Sequence, residues 1–111
     1  MYYIMDKLAW VVKADKKTNP KYVGAYDRVF IGEDVAMYYL NMPAMSKEKI
    51  SNVLNSIENT DLRSNVAGAL NYIGSRWDNH AITKISIESD DTCIIVYDVL
   101  YKASRIDTIN K

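Results

Sequence analysis

The stretch TCIIVYDVLY, Thr92 to Tyr101, constrains the fold more than any other part of the chain. Its β-branched and aromatic residues mark a strand. Alternation puts Cys93, Ile95, Tyr97, Val99 and Tyr101 on one side and Ile94, Val96, Asp98 and Leu100 on the other. A strand with one wet face alternates apolar with polar residues. Here both sides are largely apolar, so each asks to be covered.

The preceding run, ITKISIE, behaves differently. Ile85 and Ile87 share a face while Lys84, Ser86 and Glu88 look to water, and Ser89-Asp90-Asp91 joins the two strands as a hairpin. A second hairpin is predicted near the start. LAWVVKA, Leu8 to Ala14, is one strand; DKKTNPK breaks it at Asn19-Pro20; YVGAYDRVFI, Tyr22 to Ile31, returns.

Between the hairpins lie three helical patterns. EDVAMYYLNM follows Gly32, with Glu33 and Asp34 at its positive end. Val35, Tyr38, Tyr39 and Met42 form its apolar face, and Pro43 closes it. Ser46 caps a second helix whose stripe is Ile50, Val53, Leu54 and Ile57. Thr60-Asp61 caps a third, with Leu62, Val66, Leu70 and Ile73 inward and Gly74 as its stop. The order β-β-α-α-α-β-β predicts an α+β fold of two layers, a four-stranded antiparallel sheet with the helices on one face. At 111 residues, 49% of them apolar, the chain fits one domain spanning residues 1–111.

Charge and composition narrow the function classes. Fourteen Lys and Arg balance fourteen Asp and Glu, so no net field draws the chain to nucleic acid or membrane. The N-terminal MYYIMDKLAW lacks the form of a signal peptide, and no apolar run is long enough to span a bilayer. The single cysteine, Cys93, sits in an apolar run as a reduced thiol, which predicts a cytoplasmic setting.

The loop GSRWDNH gathers Arg76, Asp78 and His80 beside Ser75, the materials of a catalytic set. A loop whose Trp77 packs on the core accounts for the same residues, and we expect no enzyme. One histidine and one distant cysteine make no zinc site, and FIGED has a single glycine followed by two acids. No metal and no cofactor is expected.

Nine tyrosines and two tryptophans against one phenylalanine favour surfaces dry on one side and wet on the other. With Ile94, Val96 and Leu100 assigned beneath the helices, Trp10, Ile95, Tyr97, Val99 and Tyr101 form an open protein-binding face. The expectation is a small non-catalytic module that binds another protein and self-associates as a homodimer. Its Asn, Ile, Lys, Tyr and Met usage matches AT-rich coding, which suits a phage or mobile-element modulator or inhibitor of a host factor. The alternative is a nucleic-acid-binding accessory protein, with Lys13, Lys16, Lys17 and Lys21 on phosphates and Tyr22 stacking a base.

Overall fold

The computed structural model describes residues 2–16, 21–22, 28–40, 44–77 and 79–102, with the backbone alone at 21, 22, 28, 29, 39 and 40. Two long strands form its axis. β1, Tyr2–Lys13, pairs antiparallel with β5, Thr92–Lys102, from Tyr3↔Lys102 to Lys13↔Thr92. β4, His80–Ser89, covers the far side of β5. The hairpin between them turns through Asp90 and Asp91, as expected.

The return run is described in two pieces. Lys21–Tyr22 (β2) pairs with Ala9 and Leu8, and Arg28–Gly32 (β3) pairs with Asp6 through Tyr2, both on the same edge of β1. The sheet is antiparallel throughout, in the order β2-β1-β5-β4 with β3 alongside β1. With three helices inserted between its two hairpins, the fold is the two-layer α+β arrangement predicted, β2 and β3 together counting as the return strand on the edge of β1.

The first helix, α1 (Glu33–Leu40), leaves β3 directly and leans on β3 and β1. Its expected inner face is corrected: Val35 and Tyr38 are exposed, and Ala36 between them is the fully buried residue. Met42 lies outside the described residues. The second, α2 (Lys47–Ser56), starts where predicted, with the Ser46 hydroxyl accepting from the Lys49 amide at 3.1 Å. Its apolar stripe is half-buried and ends in the buried Ile57.

The third, α3 (Thr60–Arg76), roofs the sheet over β1 and β5. Its cap is Asn59, one residue earlier than expected, whose side-chain oxygen accepts from the amides of Asp61 and Leu62. Gly74 does not stop it; the helix continues to Arg76, and Trp77 ends it in extended conformation. Leu62, Val66, Ala69 and Ile73 have no exposure. Asn65 anchors the helix laterally, donating to the carbonyls of Lys13 and Ala14 at 2.9 and 3.0 Å.

Candidate protein-binding surface

Register decides which face of β5 is inside. Leu8, Trp10 and Val12 of β1 stand opposite Tyr97, Ile95 and Cys93, so the strongest apolar stripe of β1 and the odd-numbered stripe of β5 share one face. That face meets α3, and Cys93, Ile95, Tyr97 and Val99 have no exposure beneath it. The predicted assignment is therefore inverted. Trp10 (6% exposed), Ile95, Tyr97 and Val99 are core residues, and of the five expected binding residues only Tyr101 reaches the surface, at 36%.

Four rings explain why aromatic residues occupy this core. Trp10 meets Tyr72 edge-on at 5.5 Å, Tyr72 meets Trp77 at 6.3 Å, and Trp77 tilts over Tyr97 at 5.6 Å. Such off-face geometries are favourable beyond the area they bury. Among the described residues, the buried Trp10 Nε1 and Tyr97 hydroxyl have no hydrogen-bond partner. Burial drives the Tyr97 hydroxyl far above the ordinary tyrosine range and the Cys93 thiol up to about 11, which favours the neutral form of each.

The opposite face carries Ala9, Val11, Ile94 and Val96, all half-buried, beside the pair Lys7 and Asp98. Lys7 Nζ lies 4.0 Å from Asp98 Oδ1, yet that oxygen accepts no hydrogen bond among the described residues. Burial raises the Asp98 carboxyl above its usual range and Lys7 partly offsets it.

Exposed apolar surface gathers elsewhere. Of the eight large apolar side chains exposed among the described residues, Tyr2, Phe30 and Tyr101 lie at the end where β1 begins and β5 finishes, and Val35, Met37 and Tyr38 lie on α1, which follows β3 directly and packs on β3 and β1. Ile4 pairs with Phe30 on one side and Tyr101 on the other, so three strands bring these side chains to one face, with Tyr2 two residues along from Ile4. It is the same face that α3 roofs further on. Composition drew attention to the tyrosines without telling the buried Tyr97 from the exposed Tyr2 and Tyr101; strand register makes that distinction.

The edge beside Tyr101 is hollowed. A shallow cleft of about 400 Å³ is lined by Arg76, Trp77, Asn79, Leu100, Tyr101 and Lys102. It exists because β4 begins at His80, level with Val99, while β5 runs on to Lys102. The Leu100 amide donates to the Asn79 carbonyl at 2.9 Å, which closes the ladder at that point.

The loop that looked catalytic is occupied otherwise. The His80 ring sits with Nδ1 2.7 Å from the Trp77 carbonyl, and since a carbonyl only accepts, Nδ1 carries the proton there. The Ser75 hydroxyl donates to the Tyr72 carbonyl, Arg76 is exposed, and Asp78 lies outside the described residues. Among the described residues no three His, Cys, Asp or Glu side chains are placed to share a metal ion.

Of the basic loop, Lys13 and Lys16 are described with their side chains. The Lys13 amide donates to the Lys16 carbonyl, and the neighbouring Ala14 amide to the Asp91 carbonyl, which brings an acidic turn beside these lysines. The Asp91 carboxyl is held below its usual range by hydrogen bonds from Ser89 and Thr92, with Lys13 contributing. Lys17 lies outside the described residues; Lys21 and Tyr22 are described in backbone only, as β2. Trp10, expected beside them, is buried. No helix among the described residues is long and apolar enough to cross a membrane. No protein-family model matches the sequence, and neither a curated protein nor a solved structure is significantly similar to it.

Proposed function

We propose that the protein is a small non-catalytic module that acts by binding another protein, docking it on the end of the sheet formed by Tyr2, Ile4, Phe30 and Tyr101 and on the adjoining helix α1. One observation carries this reading: the concentration of exposed rings and aliphatic groups at that end, in a chain that buries Trp10 and Tyr97 in its core elsewhere. Exposed apolar clusters of this kind are typical of interfaces, and tyrosine suits them because its ring packs while its hydroxyl stays wet. A cytoplasmic modulator or inhibitor of a host factor, of phage or mobile-element origin and able to pair with a second copy, is the form of this reading that we favour.

The test is capture of interacting proteins from the native host by the wild type, by Tyr2→Lys/Phe30→Lys, and by Lys84→Glu as a surface control. A partner held by the wild type and the control but lost from the double variant supports the reading. A partner held equally by all three overturns it. Sedimentation of the same three proteins reports whether the patch also joins two copies.

A further inference from the structure

The cleft next to Tyr101 differs in character from the apolar patch it adjoins. Among the described residues that line it, the charged ones are Arg76 and Lys102, both cations, one from the end of α3 and the other from the end of β5. Among the described residues, neither has a carboxylate within 4.0 Å, although the chain as a whole is neutral. Two rings line it as well, the half-buried Trp77 and the 36% exposed Tyr101, while Leu100, on the other side of β5 from Tyr101, is almost fully buried. Asn79 adds an exposed amide with both a donor and an acceptor.

We propose that this cleft receives an acidic, extended segment of the partner protein, its carboxylates on Arg76 and Lys102 and an apolar side chain against the Trp77 and Tyr101 rings. The inference rests on the protein-binding reading and deepens it, since Tyr101 belongs to both surfaces. A guanidinium matches a carboxylate with two parallel hydrogen bonds, and an ammonium on a flexible stem tolerates a second one at variable distance. Charge complementarity of this kind sets partner choice and encounter rate. A nucleic-acid strand is the less suitable occupant, because tracking a phosphate backbone takes a row of cations and the described residues of the cleft offer two.

The experiment selects from a displayed library of random peptides on the wild-type protein, and measures the selected peptides against Arg76→Glu/Lys102→Glu and against Tyr2→Lys/Phe30→Lys. Both cations are exposed, so the reversal should fold; circular dichroism and tryptophan emission confirm it. The expected result is enrichment of Asp and Glu around an apolar residue, with affinity falling at least about tenfold on charge reversal and weakening as salt is raised. Peptides without acidic enrichment that bind through Tyr2 and Phe30 and ignore the reversal overturn the cleft while leaving the protein-binding reading intact. Failure to select any peptide counts against both. Tighter binding of a single-stranded oligothymidylate than of the selected peptides, lost on the same reversal, also overturns the proposal.

Discussion

Asp98 is the residue whose environment is least comfortable. It lies on the face away from α3, only 5% exposed, with an oxygen that accepts no hydrogen bond among the described residues and a half-exposed lysine 4.0 Å away. Burial of the charge outweighs the attraction to Lys7, so the carboxyl titrates above its ordinary value of 3.8. The sign follows from proton counting. Between 3.8 and the raised value, the folded chain holds a proton that the unfolded chain has lost. Stability therefore falls as pH rises through that window, and the cost is complete above it. Asp98→Asn removes the cost together with a weak, partly exposed ion pair. We expect it to stabilise the protein by about 1 kcal/mol at neutral pH, the scale of an ordinary substitution. The gain should vanish below pH 3.8, as checked by urea unfolding at both pH values. Tyr97→Phe makes a parallel case. It deletes a buried hydroxyl with no partner among the described residues while keeping the ring against Trp77. Removing an unsatisfied polar group without changing shape is neutral or stabilising by about 1 kcal/mol. A clear fall in midpoint would mean that the hydroxyl is satisfied.

Elements were legible where a local rule fixes them. Ser46 announces α2 because its hydroxyl can reach an amide three residues on, and it does. The helix α3 was read from its stripe, but Thr60-Asp61 drew attention from Asn59, which performs the same capping chemistry one position earlier. Replacing Asn59 by Ala should cost about 1 kcal/mol, the usual worth of such a cap, and Thr60→Ala clearly less. Thermal unfolding of the two variants separates the assignments. The errors share a cause: they fall where tertiary packing overrides pattern. Tyr2 to Lys7 carries no clean alternation, yet it is strand because β3 and β5 flank it on both sides. Val35 and Tyr38 have helical spacing, but the helix meets the sheet through the small Ala36, which lets the backbones approach. Gly74 sits in open space inside a helix that ends only at Arg76.

At the scale of the molecule, the face of β5 could not be read from β5 alone, because both of its stripes are apolar. Its neighbour held the answer. In β1, Lys7 and Lys13 alternate with Leu8, Trp10 and Val12, and antiparallel pairing then commits Cys93, Ile95 and Tyr97 to the covered side. Asp98, the one charged residue in the stretch, marks the other side through its register with Lys7. The fold was thus available from order and periodicity, while the surface depended on a register that joins residues some 90 positions apart. That difference sets up the sharpest comparison between two single substitutions. Ile95→Lys puts an unpaired ammonium into a fully buried position on the central strand, where an uncompensated charge costs about 3–5 kcal/mol or more. A small domain has only about 5–15 kcal/mol in hand, so Ile95→Lys should unfold or aggregate. Phe30→Lys alters a side chain that is 43% exposed on β3 and should shift stability by less than about 1 kcal/mol. Circular dichroism melting distinguishes the two. If Ile95→Lys instead melts like the wild type and Phe30→Lys collapses, the odd-numbered stripe of β5 faces outward, and the docking surface belongs there and not at the Tyr2 end of the sheet.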